Sequence, residues 1–496
     1  MDDPPNASED ERGERLSTGI EGFDDVLYGG FVPNRAYLVR GEPGTGKTLL
    51  GTHFLTAGDP NESLFINLGQ PESDVRSDAA ALGFDLSSVE FLDLSPESEF
   101  FAEGRTYDVF PPGDVETGAF VEPIADAVTD LQPTRVFVDP VTQFRYLSPD
   151  EYQFRKQILS FLQFVKSNGG TVLFTSQATT ASPDDDLQFM SDGIVHLRYG
   201  TRKRSVEVTK HRGSDFRSGT HAMKVGDDGM TVFPELVPGR HRAEFSPEAV
   251  SSGVPGVDAL LNGGLERGTV TIVSGPSGVG KTTFGGQFMK EAAGRGERSV
   301  IFLFEESRGT FVHRSESINV PVREMMDRGT LKIEEVEPLE HSPESFAGMV
   351  RTEVEDRDAS VVMVDGLKGY QLSMTGEGEA EFLTEIHALG RYLRNMGVTA
   401  IFTSETASVT GAFSPTEHGV SYLADNIVFL RYLELGGELR KAIGVLKKRG
   451  SDFERTLREF EITEYGIEVG APLSNLRGIL SGTPEWAGPR GEERTE

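Results

Sequence analysis

The feature that most constrains this 496-residue chain is that it contains one segment twice. Residues 15–48 read RLSTGIEGFDDVLYGGFVPNRAYLVRGEPGTGKT, and residues 249–282 read AVSSGVPGVDALLNGGLERGTVTIVSGPSGVGKT. The two segments align without a gap and share most of their glycines. A later match, HRGSDF at 211–216 against KRGSDF at 448–453, lies near the end of each copy. The sequence therefore predicts two copies of one module, each large enough to bury its own core.

Domain boundaries follow from where the repeated pattern stops. Proline, glycine and charged residues interrupt it at Pro238–Pro247, which favours a linker there. We therefore predict an acidic N-terminal tail at 1–14, a first domain at 15–240, a second domain at 241–472, and a C-terminal segment with a flexible tail at 473–496.

Each copy alternates short β-branched runs with segments of helical length. The predicted strands are Ala36–Val39, Leu64–Asn67, Arg135–Val138, Thr171–Thr175 and Gly193–Leu197 in the first copy, and Val270–Val273, Val300–Phe304, Val361–Val364, Thr399–Thr403 and Asn426–Leu430 in the second. Apolar spacing in 152–167 predicts an amphipathic helix that packs on a core. This alternation predicts two α/β domains, each a mainly parallel, doubly wound sheet flanked by helices.

Composition narrows the classes of protein that the chain can belong to. Cysteine is absent, which excludes disulfides, cysteine metal sites and thiol catalysis. The formal charge is −31, and only 13 of the 48 basic residues are lysine, a balance typical of high-salt cytoplasms. In molar salt the Debye length is about 3 Å, so net charge alone says little about partners. Without an apolar run of ~18 residues or a signal peptide, we expect a cytoplasmic protein without membrane contact.

Each repeat ends in a phosphate-binding loop of the form G-x-x-x-x-G-K-T. The loop residues are Gly41, Glu42, Pro43, Gly44, Thr45, Gly46, Lys47 and Thr48 in the first copy, and Gly275, Pro276, Ser277, Gly278, Val279, Gly280, Lys281 and Thr282, followed by Thr283, in the second. The glycines let backbone N–H groups converge on phosphate oxygens, the lysine faces the β- and γ-phosphates, and the threonine hydroxyl ligates Mg²⁺. Two such loops between predicted strands and helices predict two sites for ATP with Mg²⁺.

An aspartate ends the third predicted strand of each copy. The runs RVFVD and VVMVD place Asp139 and Asp365 at carboxyl ends of strands beside the phosphate loops. There each carboxylate reaches the Mg²⁺ shell, usually through water, which is the Walker B function. The alternative interpretation is an aspartate that caps a turn or helix.

The copies differ where hydrolysis is decided, after the second predicted strand. The second copy has Glu305 and Glu306 there, whereas the first has Gly69 and Gln70. A carboxylate beside the γ-phosphate orients or deprotonates the attacking nucleophile, and glutamine cannot act as a base. We predict hydrolysis in the second copy and slow hydrolysis at most in the first. The alternative for the first copy is that Glu72 or Asp74 replaces the missing carboxylate. The alternative for the glutamate pair is solvated surface charge.

A basic pair recurs late in each copy. Lys210 and Arg212 in the first copy, and Lys447 and Arg449 in the second, follow an extended segment at a spacing of two. On a strand this spacing points both cations the same way, which suits binding of a phosphate within the subunit or from a neighbouring one. The alternative is an edge strand protected by basic residues.

These motifs resemble those of the KaiC family, double-domain RecA-like ATPases and autokinases with archaeal as well as cyanobacterial members. The resemblance extends from about residue 15 to residue 484 and rests on IEGFDD at 20–25, FEES at 304–307, GVLKKRGSDFERTLREFEIT at 444–463 and ILSGTP at 479–484. It implies a homohexamer with ATP at subunit interfaces, contacted across them by the Lys-x-Arg pairs. It also implies that Glu305 is the general base and Glu306 its neighbour in the active pair.

The resemblance further identifies two candidate phosphorylation sites. Family members phosphorylate themselves on an adjacent serine and threonine before a late strand. Here Ser421 occupies the serine position, Tyr422 replaces the threonine, and Thr416 matches another threonine used in that chemistry. The tyrosine removes the two-site pattern and leaves single-site autophosphorylation at Ser421. The alternative is an ordinary serine in a loop.

Three functions are compatible with these residues. The first is ATP hydrolysis with serine autophosphorylation in the second domain, catalysed by Lys281, Glu305, Glu306, Lys447 and Arg449, in a signalling or timing regulator with unidentified protein partners. The second is a nucleotide-switched hexameric scaffold with negligible catalysis. The third is a DNA motor of the RecA or helicase type, which the sequence disfavours because it contains no helix-hairpin-helix module, zinc motif or basic pore segment.

Overall fold

The chain folds into two compact units, Met1–Glu235 and Leu236–Glu496. The computed structural model describes residues 13–95, 121–145, 148, 150–177, 183–200, 203–236, 248–374, 379–406, 420–435, 437–479 and 485–486. The interruption predicted at Pro238–Pro247 lies outside the described residues.

The first unit alternates strands and helices up to residue 199 and continues as antiparallel strands. Its helices are α1 (Phe23–Val26), α2 (Lys47–Thr56), α3 (Glu72–Ala81), α4 (Val121–Leu131), α5 (Glu151–Ser167) and α6 (Asp185–Met190). Its strands are β1 (Ala36–Arg40), β2 (Ser63–Asn67), β3 (Glu90–Asp93), β4 (Arg135–Asp139), β5 (Thr171–Ser176), β6 (Gly193–Tyr199), β7 (Arg204–His211), β8 (Thr220–Gly226) and β9 (Gly229–Phe233).

The second unit repeats this order of elements. Its helices are α7 (Pro255–Leu260), α8 (Lys281–Gly294), α9 (Arg308–Glu316), α10 (Val322–Asp327), α11 (Pro343–Arg351), α12 (Leu367–Leu372) and α13 (Glu379–Asn395). Its strands are β10 (Ala249–Val250), β11 (Leu265–Glu266), β12 (Val270–Gly275), β13 (Arg298–Leu303), β14 (Leu331–Glu335), β15 (Ala359–Asp365), β16 (Thr399–Glu405), β17 (Asn426–Leu435), β18 (Glu438–Lys448), β19 (Arg458–Thr463), β20 (Gly466–Pro472), β21 (Leu476–Arg477) and β22 (Glu485–Trp486).

Each unit has a nine-stranded sheet of the same topology. The orders are β3-β2-β4-β5-β1-β6-β7-β8-β9 and β14-β13-β15-β16-β12-β17-β18-β19-β20. The first six strands of each order pair in parallel. The sixth strand also pairs antiparallel with the seventh, and the antiparallel pairing continues to the ninth. This confirms the predicted tandem, mainly parallel α/β architecture. It also confirms the strands predicted in each copy and the amphipathic helix, observed as α5.

The sheets are buried on both faces because helices cover both sides of the parallel strands. In the first unit one cluster, with Phe54 and Phe137, packs on one face, and another, with Phe154 and Ile158, packs on the other. The second unit has the same two-sided core. The parallel strand β2 is therefore buried along its whole length, whereas the antiparallel strand β7 alternates between buried and partly exposed residues.

The helix that follows each phosphate loop packs tightly on the sheet, and this yields a first prediction. A Cβ at Gly51 in α2 would lie 2.1 Å from Cζ of Phe137, whereas a Cβ at Gly286 in α8 would meet nothing within 4 Å. We expect Gly51→Ala to destabilise the first domain by about 1–3 kcal/mol through overpacking. We expect Gly286→Ala to be neutral or to stabilise the second by about 0.5–1 kcal/mol. Urea unfolding followed by far-UV circular dichroism measures the free energy of unfolding of both variants. Equal changes in the two variants would contradict the predicted difference in packing.

Within the described residues, no helix is both long and apolar enough to cross a membrane.

Candidate functional site

The two phosphate loops have the same local geometry. Gly44 and Gly46 in the first loop, and Gly278 and Gly280 in the second, have φ values between 73° and 118°, a region strained for residues with a Cβ. The last left-handed glycine of each loop directly precedes α2 or α8. The free N–H groups at the start of these helices therefore lie beside the loop, where they can bind an anion.

Each loop lysine folds back over its own loop. Nζ of Lys47 donates to the carbonyl oxygens of Gly41 at 2.7 Å and Glu42 at 3.0 Å. Nζ of Lys281 makes the equivalent two bonds at 2.9 and 3.0 Å. Burial lowers the pKa of both lysines. A phosphate at this position would offset that desolvation, so the lysines are placed for an anionic ligand.

The aspartates predicted to act on Mg²⁺ lie beside the loop threonines, and Asp365 is buried whereas Asp139 is partly buried. Oγ1 of Thr282 donates to Asp365 at 2.9 Å, and Oγ1 of Thr403, on the next strand, donates to the same carboxyl at 2.8 Å. The first copy repeats this arrangement with Thr48, Asp139 and Thr175. Burial raises the pKa of both aspartates, against the effect of these hydroxyl donors.

A threonine hydroxyl with a buried carboxylate behind it suits Mg²⁺ that is bound together with phosphate. Mg²⁺ usually takes one or two protein oxygens, several waters and the phosphate oxygens of its nucleotide. Thr48 with Asp139, and Thr282 with Asp365, therefore fit a cation that arrives with a nucleotide.

Glu305 lies against the backbone that follows Asp365. The φ of Gly366 is +104°, and a Cβ there would lie 2.7 Å from Cγ of Glu305. The N–H of Gly366 donates to Oγ1 of Thr403 at 2.8 Å, so the same hydroxyl fixes both the aspartate and this glycine. Burial raises the pKa of Glu305, and the charges of Asp365 and Glu405 raise it further. Glu305 nevertheless keeps a solvent-exposed surface through which a substrate can reach it.

Glu306 is held by a partner from the next helix. Nη2 of Arg314, on α9, donates to Oε1 of Glu306 at 2.6 Å, and the glutamate side chain is 15% exposed. Burial raises the pKa of Glu306, while Arg314 opposes that shift. The two neighbouring glutamates therefore differ, because Glu306 is fixed by an ion pair with Arg314, whereas Glu305 lies against Gly366.

The first copy arranges the corresponding segment without a carboxylate. Gly69 and Gln70 are exposed after β2, and Nδ2 of Asn67 donates to the carbonyl oxygen of Gln70 at 2.5 Å. The carboxylate of Glu72, at the start of α3, accepts from Nε of Arg76 at 2.6 Å. This glutamate is thus engaged with its own helix.

In the second copy, the basic pair contacts the turn that precedes β17. Nζ of Lys447 donates to the carbonyl oxygen of Ser421 at 2.9 Å, and Nη2 of Arg449 donates to that of Tyr422 at 3.3 Å. Arg449 also pairs with Asp425 at 3.7 Å. Both cations therefore face one segment, and their described contacts are with this turn and not with Lys281 or its loop.

The first copy places its basic pair in the same way. Nζ of Lys210 donates to the carbonyl oxygens of Gln188 at 2.9 Å and Ser191 at 2.6 Å, at the end of α6. Arg212 lies 3.8 Å from the carboxylate of Asp192. The Lys-x-Arg pairs of the two copies therefore occupy equivalent places, as the repetition of the motif in the sequence indicates.

The candidate phosphorylation site lies partly within the described residues. Ser421 occupies a 3₁₀ turn, Val420–Tyr422, immediately before β17. Tyr422 is 51% exposed, and its ring stacks on that of His387 with centroids 5.9 Å apart. Thr416 lies outside the described residues, so the structure places only the serine.

Sequence reasoning missed three side chains that this geometry brings to the second site. They are Thr403, Glu405 and Arg314, which contact or face Asp365, Lys281 and Glu306 respectively. The signal for Glu405 is available in the sequence, because the run TAIFTSE ends a buried strand with a carboxylate just as VVMVD does. Arg314 has no such signal, since it reaches Glu306 only through the path of α9.

The topology and the two loops define the class of this protein. Each unit carries a phosphate loop after the central strand, β1 or β12. An aspartate ends the strand that lies two positions away in the sheet, β4 or β15, which is the arrangement of tandem RecA-like P-loop domains. The model of the KaiC ATPase family matches residues 16–237 and 250–474. The chain therefore belongs to the KaiC family of ATPases, whose membership implies nucleotide binding.

Similar proteins in cyanobacteria cover almost the whole chain. The circadian clock oscillator protein KaiC of Acaryochloris marina is 30% identical, over 95% of this chain and 91% of its own length. The circadian clock oscillator protein KaiC of Synechococcus elongatus is 28% identical, over 98% and 94%. The circadian clock protein KaiC3 of a Synechocystis strain is 29% identical, over 97% and 96%. The similarity thus includes both domains.

Proposed function

We propose that the second domain hydrolyses ATP with Glu305 as the general base. The observation that carries this proposal is the placement of Glu305 against Gly366, beside Asp365 and in the field of Lys281. A carboxylate with a raised pKa is a better proton acceptor for water than an ordinary one, provided that it remains ionised. Its exposed surface leaves room for the attacking water.

The other residues of this site bind and orient the nucleotide. Lys281 and the backbone of the loop 275–282 hold the phosphates, and Thr282 with Asp365 holds Mg²⁺, which neutralises charge on the phosphates when bound. Glu306, fixed by Arg314, stabilises the position of its neighbour. These assignments rest on the described contacts and on the electrostatics of phosphoryl transfer.

The first domain, in this proposal, binds Mg²⁺-ATP and hydrolyses it slowly or not at all. Its loop 41–48 and the Thr48–Asp139 pair match those of the second domain. The position of the base is taken by Gly69 and Gln70, neither of which can accept a proton from water at neutral pH. Such a site holds nucleotide and stabilises its domain by binding.

We also propose a homo-oligomer, a hexamer by resemblance to the family, with ATP at the subunit interfaces. Lys447 and Arg449, like Lys210 and Arg212, would then contact the phosphates of a neighbouring subunit. Supporting this, both pairs present their cations together, and their present partners are mainly backbone carbonyls that a phosphate can replace.

The turn with Ser421 is the proposed site of autophosphorylation. In the step, Oγ of Ser421 forms a bond to the γ-phosphorus of ATP, the bond to the ADP oxygen breaks, and a carboxylate takes the hydroxyl proton. Lys447 donates a hydrogen bond to the carbonyl oxygen of Ser421, so this turn is attached to one of the cations proposed to bind phosphate. The clock proteins to which the chain is similar suggest a signalling or timing regulator with protein partners.

Incubation of the full chain with Mg²⁺-ATP tests this function directly. We expect phosphate release together with a phosphate on Ser421 located by mass spectrometry, and Ser421→Ala should lose that modification while its phosphate release continues. Lys281→Ala should lose both. Phosphate release without phosphoserine would restrict the function to hydrolysis.

A second candidate function is a nucleotide-switched scaffold with negligible catalysis. The first site favours it, because it combines a complete phosphate loop with Gly69 and Gln70 where the base should lie. ATP bound tightly to the oligomer, with phosphate release at background in the wild-type chain, would favour this function over hydrolysis.

A further inference from the structure

A third carboxylate reaches the second site from a strand that the proposed mechanism does not use. Glu405 is the last residue of β16, and its backbone pairs in register with Gly275, the first glycine of the phosphate loop. The next residue, Thr406, donates its N–H to the carbonyl oxygen of Gly275 at 3.2 Å. That carbonyl also accepts the bond from Lys281. Glu405 is therefore fixed to the backbone that carries the lysine.

The side chain of Glu405 lies near a lysine of α12. Its carboxylate lies 4.0 Å from Nζ of Lys368, at the start of α12, and it is 30% exposed. Four adjacent strands, β13, β15, β16 and β12, thus end or continue in Glu305, Asp365, Glu405 and the lysine loop.

The first domain provides an internal comparison. Its strand β5 pairs Arg40 with Ser176, as β16 pairs Ser274 with Ser404, so the residue that corresponds to Glu405 is Gln177. The first domain, which has Gly69 and Gln70 in place of the glutamate pair, therefore also lacks the carboxylate after β5. The glutamate pair and the carboxylate after the strand are thus both present in the second domain and both absent from the equivalent positions of the first. This associates Glu405 with the residues proposed to hydrolyse ATP.

We propose that Glu405 is a positioning residue for ATP hydrolysis in the second domain, acting through Lys281, Lys368 and Glu305. This inference rests on the proposed function of Glu305 as base. With ATP bound, Lys281 turns to the phosphates, and the carboxylate of Glu405 keeps Lys368 from pairing with Glu305. The negative charge of Glu405 also opposes the triphosphate, so it weakens ground-state binding of ATP while it favours turnover.

The pH dependence follows from the groups that face Glu305. Burial, Asp365 and Glu405 raise its pKa, and Lys281 and Lys368 lower it. Glu306, with its partner Arg314, is the next charged residue along the chain. Removing the charge of Glu405 therefore lowers the pKa of Glu305. The acidic limb of the rate profile, where the base becomes protonated, then moves to lower pH.

The test measures phosphate release against Mg²⁺-ATP concentration over a pH series, in full-length chains that carry Lys47→Ala so that the second domain is observed. For Glu405→Gln we expect kcat to fall by about tenfold, KM for ATP to fall as well, and the acidic limb to move to lower pH. Glu405→Asp, which keeps the charge, should restore the position of that limb. Glu324→Gln removes an exposed carboxylate from α10 and serves as the matched control, with unchanged kinetics expected.

Each outcome separates this inference from the function on which it rests. If Glu305→Gln abolishes turnover while Glu405→Gln behaves like the control, Glu405 has no part in positioning. A lower kcat with an unmoved acidic limb, or with the same limb in Glu405→Gln and Glu405→Asp, would show a merely structural effect and overturn the inference. Turnover that survives Glu305→Gln would contradict the proposed base itself, and the inference would fall with it.

Discussion

Replacing Glu305 by glutamine is expected to reduce ATP turnover of the full chain by about a hundredfold or more. Glutamine keeps the size of the side chain and accepts a hydrogen bond, but it cannot take a proton from the attacking water. KM for ATP should change little, because Lys281 and the loop backbone, the proposed phosphate-binding groups, are unchanged in this variant. Steady-state phosphate release at saturating Mg²⁺-ATP measures the effect.

The pH profile of the wild-type chain adds a second readout to this prediction. The pKa of Glu305 is raised, so its loss of activity on acidification should begin at a higher pH than for an ordinary glutamate. Glu306→Gln serves as the control, with a smaller loss expected because Arg314 occupies that carboxylate. Equal losses in the two variants, or a Glu305→Gln chain that turns over normally, would contradict the assignment of the base.

Replacing each loop lysine by alanine should affect ATP turnover differently in the two domains. Lys281→Ala is expected to remove nearly all turnover, because it empties the site that contains the base. Lys47→Ala should remove bound nucleotide from the first domain while most phosphate release persists. A lost phosphate contact of this kind costs about 2–5 kcal/mol in binding, which is ample to empty a site at micromolar nucleotide. Equilibrium binding of labelled ATP and phosphate release measure the two effects in the same samples.

The opposite result would be informative about the first domain. If Lys47→Ala abolished turnover and Lys281→Ala did not, catalysis would belong to the domain with Gly69 and Gln70. Thermal unfolding of each variant without nucleotide provides the control, because Lys47 is buried, Lys281 is partly buried, and both donate to carbonyl oxygens of their own loops, so their loss can also act through the stability of the apo fold. An apo chain that unfolds would assign the loss to stability.

Much of this site could be predicted from the sequence because its chemistry is local. The phosphate loop is contiguous, and its glycines are needed by the backbone itself, as the positive φ of Gly46 and Gly280 confirms. The strands that end in Asp139 and Asp365 are continuous apolar runs, since parallel strands are buried on both faces. Such patterns survive in a single sequence.

The rest depends on contacts between distant segments. Arg314 reaches Glu306 across a helix, and Thr403 reaches Asp365 from the adjacent strand. The antiparallel strands β7 and β8 alternate between buried residues and partly or fully exposed ones. They therefore lack the continuous apolar run that predicts a buried strand such as β2. Glu405 was the residue whose signal was present and whose neighbours, Lys281 and Lys368, only the fold identifies.

We propose that the second domain hydrolyses ATP while the first retains it. The most direct test is the identity of the bound nucleotide after Mg²⁺-ATP incubation, removal of free nucleotide and acid quench. Chains with Lys281→Ala report the first domain, and chains with Lys47→Ala report the second. We predict ATP in the first case and ADP in the second. ADP in equal proportion in both, or ATP retained by the second domain, would contradict the account.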